Sequence, residues 1–456
     1  MNEVIPDTSG RRASKRIRCV EDEMNPGCLF FTLPGLYYLC FPNTKRMAKI
    51  LIKNIHTLYQ AGEHFPEMIC GEAMNEVPVI RNAFLALEDG IIMAYGAMED
   101  WEGITDWRGV EVIDAEGQSV MPAFCDPHTH TVFARTREEE FVDRINGLTY
   151  EEIALKGGGI LNSARRLGEL SEEELFTEAM KRINRMKVNG TGAVEIKSGY
   201  GLSVEAELKI LRVIKRLKAE AGIAIKATFL GAHAFPKEFK ENHQAYIDLI
   251  VNEMIPQIAA EGLADYIDVF CERNYFSVEE MQYILAEGKK VGLIPKVHVN
   301  QFSIMGGVKA AVDLGALSVD HLEESNQEDI EALKGSRCMP TFLPGCSHFI
   351  SIPFGDARRF IREGLPVALA TDYNPGTTPC DNMQQIFSLA CVKMRLTPEE
   401  AFNALTINAA YAMGLSQTHG TISLGKSTPV ILTKPIDSLA YIPYAFGENH
   451  VDRLIF

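Results

Sequence analysis

The sequence predicts an α/β fold, in which a (β/α)8 barrel of the TIM type is joined to a small discontinuous β-sandwich domain built from N- and C-terminal segments. The barrel follows from eight short apolar or β-branched runs that alternate with longer segments of helical spacing over about 250 residues. The second domain follows from short strands, broken by turn residues, that occur before and after these eight runs. A chain of 456 residues that is 46% hydrophobic and 23% charged has the composition of a globular protein with a large core.

Four segments are predicted along the chain. The first 46 residues contain a basic opening, an acidic triplet and an aromatic run without sustained periodicity, whereas a strand-like alternation begins at Met47. One hypothesis is that the mature protein effectively begins at Met47. The predicted borders are residues 1–46 for a non-core N-terminal extension, 47–119 for the first part of the small β-domain, 120–414 for the barrel and 415–456 for the second part of the β-domain.

Each predicted element rests on a local pattern. Strands of the small domain are predicted at residues 50–58, 91–96, 110–115 and 429–433. Strands of the barrel are predicted at residues 120–125, 192–197, 223–230, 264–271, 296–299, 316–319, 337–342 and 366–370. Helical spacing is clearest at residues 171–188, where Ser171 offers an N-terminal cap, and at 203–221, and a last helical stretch covers 398–413.

Polar residues follow the predicted barrel strands, and five of the eleven histidines are among them. In a (β/α)8 barrel, side chains at the carboxyl ends of the strands form the active site. The residues at these positions include His128, His130, Tyr200, His233, His298, Gln301, His321 and Asp372. In an extended segment His128 and His130 point to the same face, because side chains alternate along a strand. This pair, with a further histidine and a carboxylate, supplies the nitrogen and oxygen ligands that Zn²⁺ or iron accepts.

Composition and charge exclude several kinds of partner. Lys and Arg number 45 against 61 Asp and Glu, and the formal charge of -16 argues against binding to nucleic-acid phosphates. The ten cysteines include no C-x-x-C pair, which suits reduced thiols in a cytoplasmic protein. The longest apolar run, residues 28–41, is interrupted by Pro34 and is shorter than the roughly 20 residues of a membrane-spanning helix. We therefore expect a cytoplasmic protein with no nucleic-acid partner and no membrane partner.

Several separate loops together resemble one family of enzymes. The segment VMPAFCDPHTH and the histidines and aspartate at the strand ends are similar to the amidohydrolase superfamily of metal-dependent hydrolases. More narrowly, the chain resembles the imidazolonepropionases, which open the ring of 4-imidazolone-5-propanoate in histidine degradation. The segments that carry this closer resemblance are HTHTVFARTRE, VEIKSGYGL, FLGAHA, HVNQF, SVDHLE and ATDYNPGTT. The resemblance covers residues 47–414, with the N-terminal extension outside it.

The resemblance implies roles for individual residues. The implied metal ligands, for one Zn²⁺ or Fe³⁺ ion per subunit, are His128, His130, His298 and Asp372. The implied substrate-binding residues are Arg137, Tyr200, His233, Gln301, Asn374, Gly376 and Thr377, and the implied catalytic residues are Asp372, His321 and Gln301. The implied reaction is hydrolysis of 4-imidazolone-5-propanoate to N-formimidoyl-L-glutamate, by a metal-activated water that attacks the ring carbonyl. A homodimer is common in the resembled family and is expected here.

Two residues need separate interpretation. The family often has Glu where this chain has Gln301, and an amide can form hydrogen bonds but cannot titrate. Gln301 is therefore interpreted as a group that positions the imidazolone ring. Arg137 is interpreted as the cation that holds the carboxylate tail of the substrate, because a guanidinium matches a carboxylate with two parallel hydrogen bonds. The alternative for Arg137 is a surface ion pair with a glutamate at positions 138–140.

Two other functions stay open at this point. An aminohydrolase that deaminates a purine or pyrimidine would use the same ligand set, would not need Arg137, and would release ammonia. A non-catalytic metal-binding or ligand-binding protein is conceivable because position 301 carries Gln.

Overall fold

Two sheets organise the chain in the computed structural model, which describes residues 48–103, 108–148, 152–153, 156 and 158–456. In chain order the strands are β1 (Lys49–Tyr59), β2 (Val79–Glu88), β3 (Ile91–Ala97), β4 (Val110–Asp114), β5 (Gln118–Pro122), β6 (Phe124–Thr129), β7 (Thr191–Lys197), β8 (Ala224–Ala232), β9 (Tyr266–Cys271), β10 (Ile294–Val299), β11 (Ser318–His321), β12 (Met339–Phe342), β13 (Ala368–Leu369), β14 (Val430–Pro435) and β15 (Val451–Ile455). The predicted N-terminal extension, residues 1–46, lies outside the described residues. No helix in the described ranges is both long enough and apolar enough to cross a membrane.

Strands β6 to β13 form a parallel barrel in chain order, which confirms the predicted fold class. The barrel closes between its last and first strands. The amide of Asp372 donates a hydrogen bond to the carbonyl of His128 (3.0 Å), and the amide of His130 donates to the carbonyl of Tyr373 (2.8 Å). This closure brings Asp372 beside the His-x-His pair, although the sequence separates them by more than half of the chain.

The second sheet is mixed, has seven strands, and contains segments from both ends of the described chain. Its order is β15-β14-β5-β1-β2-β3, and β4 pairs with β1. The pairing of β14 with β5, for example Leu432 opposite Val120, joins the two halves of the discontinuous domain. Its buried side chains, among them Ile52, Leu58 and Leu85, form a core separate from that of the barrel.

The helices cover the barrel and connect its strands. The α-helices are Glu138–Ile145, Gly159–Gly168, Glu172–Val188, Val204–Glu220, His243–Leu249, Ile255–Glu261, Val278–Lys290, Gly307–Asp313, Gln327–Leu333, Pro344–Ile350, Ala357–Arg362, Met383–Val392, Pro398–Leu405, Ile407–Ala412 and Tyr441–Tyr444. A π-helical turn, Ile250–Met254, separates two of them, and short 3-10 turns occur at Gly71–Asn75, Met98–Asp100 and Lys237–Phe239. The predicted cap at Ser171 is present: its hydroxyl accepts from the amide of Glu174, whose carboxylate accepts from the amide of Ser171.

Two predicted elements are divided in the structure. The run predicted as one barrel strand at residues 120–125 splits at Ala123, so that β5 belongs to the mixed sheet and β6 to the barrel. The helix predicted at residues 398–413 breaks at Thr406, whose backbone is non-helical and whose hydroxyl donates to the carbonyl of Phe402 (2.7 Å). Strands β2 and β15 have no counterpart among the predicted elements, because their polar residues interrupt the alternation.

Candidate active site and metal centre

Three histidines and one aspartate meet at the carboxyl end of the barrel. Ring nitrogens of His128, His130 and His298 all lie within 4.8 Å of one another, and all three residues are buried. Asp372 Oδ1 lies 3.6 Å from His128 Nε2 and 3.7 Å from His130 Nε2. The structure thus brings together the four residues expected to bind a metal.

The donor set fits a metal ion. The Nε2 atoms of His128 and His298 are buried and have no hydrogen-bond partner in the described part of the chain. Burial, together with nearby Lys197 and the neighbouring imidazoles, holds the pKa of His128, His130 and His298 well below the usual value for histidine. The rings are therefore neutral at pH 7, which is the form that binds Zn²⁺ or iron.

Two buried carboxylates lie behind the histidines and fix their orientation. Asp320 Oδ2 lies 2.7 Å from His128 Nδ1, and Asp268 Oδ2 lies 2.9 Å from His298 Nδ1. The hydrogen bond between Asp320 and His128 Nδ1 favours the tautomer that directs the Nε2 lone pair of His128 toward a metal, whereas Asp268 contacts His298 Nδ1 by charge without a hydrogen bond. Asp268 also accepts a hydrogen bond from the His298 amide (3.1 Å), so one side chain orients both the ring and the backbone of that residue.

A buried lysine links these two carboxylates. Lys197 Nζ lies 2.8 Å from Asp268, 3.4 Å from Asp320 and 2.7 Å from Glu195. Glu195 in turn contacts Lys296, which also donates to two backbone carbonyls. All five side chains are fully buried. The barrel interior below the histidines is therefore a compact ionic layer with two cations and three anions.

His321 lies beside the four-residue centre and is paired with Glu323. Its ring lies 5.7 Å from the ring of His128, and its Nδ1 lies 3.2 Å from Glu323 Oε2. Burial lowers the pKa of His321, but the carboxylates of Glu323 and Asp372 outweigh burial and raise that pKa above its usual value. His321 is therefore suited to donate a proton or a hydrogen bond.

The loop after β13 fixes the carboxylate of Asp372. The hydroxyls of Thr377 and Thr378 donate to Asp372 Oδ2 (3.2 and 3.3 Å). Asn374 organises this loop: its Oδ1 accepts from the amides of Gly376 (2.8 Å) and Thr377 (2.7 Å), and its Nδ2 donates to the Asp372 carbonyl (2.7 Å). Burial raises the pKa of Asp372 to about 6, although the nearby His321 lowers it.

Arg137 reaches the pocket from the start of the helix Glu138–Ile145. Its guanidinium lies 5.8 Å from the centre of the Tyr200 ring and 3.5 Å from the carboxylate of Glu140. A Cβ atom placed on Gly376 would lie 2.5 Å from the guanidinium carbon, so Arg137 occupies space that only glycine leaves open. Arg137 does pair with Glu140, one of the partners named in the alternative, but its side chain is only 6% exposed, so the pair is buried and not at the surface.

His233 and Gln301 complete the walls. The ring of His233 stacks on that of His130 at 5.3 Å, and its Nδ1 lies 3.0 Å from the carbonyl of Gly199. Burial lowers the pKa of His233 to about 4, so its imidazole is neutral at pH 7. Gln301 Nε2 donates to the sulfur of Cys346 (3.3 Å).

One cavity unites these residues. Of the residues singled out from the sequence, those that line it are His130, Arg137, Tyr200, His233, His298, Gln301, His321, Asp372, Asn374 and Thr377. His128 lies behind this surface, and Gly376 contributes through the space it gives to Arg137. Four lining residues were not singled out from the sequence, namely Ile160, Phe270, Tyr275 and Phe302.

Sequence reasoning also missed the residues behind the cavity. Glu195, Asp268, Lys296 and Asp320 are charged residues inside apolar strand runs, and Glu323 follows His321 by two positions. Charged side chains in the middle of a barrel strand were the available signal, since such a side chain is buried only when it is paired.

Comparison with known proteins identifies the family. The model of the amidohydrolase family matches residues 153–455. The imidazolonepropionase of Flavobacterium johnsoniae is 56% identical over 405 residues, which are 89% of this chain and 98% of that protein. The imidazolonepropionase of Christiangramia forsetii is 54% identical over 89% of this chain and 98% of its own length. That of Thermoanaerobacter pseudethanolicus is 41% identical over 90% of this chain and 96% of its own length.

Solved structures agree with the fold. Guanine deaminase of E. coli superimposes with a TM-score of 0.66 at 14% identity, over 90% of this chain and 99% of that chain. An adenosine deaminase from Xanthomonas campestris with bound zinc has a TM-score of 0.65 at 14% identity, over 89% and 91% of the two chains. At this identity the likeness establishes the barrel alone. The much higher identity to the curated relatives establishes more: the chain belongs to the imidazolonepropionase family of amidohydrolases.

Proposed function

We propose that this chain hydrolyses 4-imidazolone-5-propanoate to N-formimidoyl-L-glutamate. The observation that carries the proposal is a single cavity that combines His130, His298 and Asp372 with a buried arginine, Arg137. The first group suits hydrolysis of a cyclic amide, and the arginine suits a substrate with a carboxylate tail. The family membership supports the same reaction.

His128, His130, His298 and Asp372 are the proposed ligands of the metal. When it is bound, the ion supplies Lewis acidity, which polarises the ring carbonyl and lowers the pKa of a water from about 16 toward about 7. The Asp320 and Asp268 carboxylates keep the rings of His128 and His298 in place for it.

Asp372 is the proposed base. It takes a proton from the attacking water and later delivers it to the ring nitrogen, so that the bond between that nitrogen and the carbonyl carbon breaks. Burial raises the pKa of Asp372 above the usual value for a carboxylate, which makes it a stronger base than an exposed one. Thr377 and Thr378 hold one carboxylate oxygen and leave the other directed toward the histidines.

His321 is the proposed stabiliser of the oxyanion. Glu323 on Nδ1 favours the protonated ring, whose Nε2 then donates a hydrogen bond to the oxygen of the attacked carbonyl. Gln301 borders the same cavity and contributes hydrogen bonds that position the imidazolone ring, with no proton transfer of its own.

Arg137 is the proposed partner of the propanoate tail. Tyr200, His233 and the loop that contains Asn374, Gly376 and Thr377 complete this end of the site. A guanidinium in a buried position binds a carboxylate strongly despite the net negative charge of the protein, because the local charge governs binding.

The metal ion, the oligomeric state, the cellular location and the partners are part of the same proposal. We propose one ion per subunit, Zn²⁺ or Fe³⁺, since three imidazoles and a carboxylate suit both. We also propose a homodimer in the cytoplasm, with a small anionic molecule as the substrate and without a nucleic-acid or membrane partner. The segment borders at residues 46, 119 and 414 remain part of this proposal.

The test is turnover of 4-imidazolone-5-propanoate by the metal-loaded protein, followed by loss of the ring absorbance and by an ammonia assay. The expected result is substrate loss without ammonia, and a decrease in kcat of about 10² to 10⁴ for Asp372→Asn. Ammonia release would instead indicate a deaminase, and absence of turnover by the loaded parent protein would refute the proposal.

A further inference from the structure

A second group of potential metal ligands includes His321, which lies beside the histidine centre. Ligand atoms of His321, Glu323 and Cys346 all lie within 4.8 Å of one another, and the three residues are buried. They come from neighbouring parts of the barrel, the end of β11 and the helix Pro344–Ile350 that follows β12. This group shares no member with the set formed by His128, His130, His298 and Asp372.

The second group is incompletely paired. Glu323 Oε2 is buried and accepts no hydrogen bond, although it lies 3.2 Å from His321 Nδ1. The other carboxylate oxygen, Oε1, has two long hydrogen bonds of 3.4 Å, one with the hydroxyl of Ser347 and one with Nδ1 of His321. Cys346 is a free, buried thiol whose sulfur is contacted by the Gln301 amide. A carboxylate and a thiol that can become a thiolate therefore surround a position where additional positive charge would be stabilised.

The ligand chemistry favours a thiophilic divalent ion. An imidazole nitrogen, a carboxylate oxygen and a thiolate sulfur are ligands of Zn²⁺, and the sulfur also favours softer ions such as Cd²⁺. Metal–ligand bonds of about 2.0 to 2.3 Å require ligand atoms a little under 4 Å apart, so the three side chains need to move by only about 1 Å. An ion can arrive through the substrate cavity, because His321 and Gln301 both line it.

We propose that His321, Glu323 and Cys346 form a second, inhibitory cation site for a thiophilic divalent ion such as Cd²⁺ or excess Zn²⁺. Binding replaces the S–H bond of Cys346 by a sulfur–metal bond and one N–H bond of the protonated His321 ring by a nitrogen–metal bond, and both protons pass to solvent with no change of oxidation state. The ion occupies the space between His321 and Glu323, so that His321 loses the carboxylate that orients and charges it. Burial raises the pKa of the Cys346 thiol well above its usual value, so the ion has to displace a retained proton.

Cadmium binding to the holoprotein, loaded with its own single metal ion, tests the site directly. The measurements are bound cadmium and retained original metal by elemental analysis, and the ultraviolet absorption of a thiolate–cadmium bond. We expect the parent protein to bind one more equivalent of Cd²⁺ than Cys346→Ser and to show an absorption band that the variant lacks. The matched control is Cys338→Ser, since Cys338 is another buried thiol outside this group, and it should retain both the extra equivalent and the band.

Two outcomes contradict the proposal. Equal cadmium binding and equal absorption in the parent and in Cys346→Ser overturn the site, as does exchange of the original ion without an additional equivalent. The inhibitory role rests on the proposed function, and we expect bound Cd²⁺ to lower the rate of the parent at least 10-fold while Cys338→Ser responds in the same way. Binding without a change in rate refutes the inhibitory role, whereas absence of turnover before cadmium is added refutes the proposed function and leaves the binding result valid.

Discussion

Backbone conformation at single residues shapes the site. Asn300, His321 and Asp372 follow or end barrel strands, and all three have positive φ angles, of 56°, 92° and 55°. Non-glycine residues rarely adopt this region, and it costs of order 1–3 kcal/mol, so surrounding contacts have to maintain it. For Asp372 these contacts are the closing hydrogen bond to His128 and the two threonine hydroxyls. At His321 and Asp372 the strain therefore coincides with residues proposed to carry the chemistry.

Removal of the Arg137 guanidinium tests recognition of the tail. We expect Arg137→Ala to raise KM for 4-imidazolone-5-propanoate by about 100-fold, because a buried charge-assisted hydrogen-bonding pair contributes about 3 kcal/mol. Steady-state kinetics with an analogue that lacks the propanoate tail is the control, and its KM should change little. Equal effects on the two compounds would show that Arg137 does not bind the carboxylate.

Lys197 does not belong to the proposed metal ligands, but it contacts the carboxylates Asp268 and Asp320 behind them, so we expect its loss to weaken metal binding. Lys197→Met leaves Asp268, Asp320 and Glu195 buried with one cation fewer, which should destabilise the fold by about 3–5 kcal/mol and weaken metal binding about 10- to 100-fold. Urea unfolding and competition with a chromophoric chelator measure the two effects. Lys309→Met removes a lysine from an exposed ion pair with Asp313 and is the matched control, which should change neither. Unchanged metal affinity in Lys197→Met would contradict the orienting role of the ionic layer.

Elements of the barrel place these residues at one edge. The sequence allowed the eight strands to be predicted, because each is a short apolar or β-branched run, and most of these runs end at polar residues such as His298 or His321. The sequence did not show that residues 120–125 belong to two strands, because these six residues form an unbroken apolar run. Only the pairing with other strands assigns β5 to the mixed sheet and β6 to the barrel. Likewise, the orienting carboxylates Asp268 and Asp320 could not be assigned, because their pairing with histidines depends on contacts between different strands.

The loop after β13 packs against the helix Glu138–Ile145, and their contacts shape the end of the cavity that is proposed to bind the propanoate tail. Arg144 donates to the carbonyl of Gly376 (2.9 Å), while the missing side chain of Gly376 gives space to Arg137. We expect Gly376→Ala to displace the guanidinium and to raise KM at least 10-fold with little effect on metal content. Gly447→Ala is the control, because a Cβ there meets no atom within 4 Å. Steady-state kinetics measures KM, and elemental analysis measures the metal content. An unchanged KM for Gly376→Ala would show that the space left by Gly376 is not needed to place the Arg137 guanidinium.

The whole molecule combines a strongly acidic composition with buried charged and histidine side chains, whose partners are determined by the fold. The formal charge of -16 belongs largely to the surface, whereas the site contains paired charges and neutral histidines. Net charge therefore argued against a nucleic-acid partner but did not predict the sign of the substrate. Charged residues within the barrel strands indicated buried, paired charges, but their partners could not be read from the sequence, because each pair joins side chains from different strands.

Acid sensitivity of the fold follows from buried neutral histidines, and His419 provides a test outside the active site. Burial lowers the pKa of His419 from 6.5 to about 4, so the unfolded chain takes up a proton first as the pH falls. Its contribution to stability is complete above pH 6.5, decreases as the pH falls toward 4, and amounts to about 3 kcal/mol at most. We expect His419→Asn to lose less stability between pH 7 and pH 5 than the parent, as measured by urea unfolding. His56→Asn is the matched control, because His56 is exposed but, like His419, contacts a neighbouring threonine through Nδ1. If the stability of His419→Asn depended on pH in the same way as that of the parent, the explanation from burial would be contradicted.

The central claim is that water attacks the ring carbonyl of 4-imidazolone-5-propanoate in this cavity. A single turnover in ¹⁸O-labelled water, analysed by mass spectrometry, tests it most directly. We expect N-formimidoyl-L-glutamate with one ¹⁸O atom in the newly formed carboxylate and both ring nitrogens retained. A product without the label in that carboxylate, or one that has lost a nitrogen as ammonia, would contradict it.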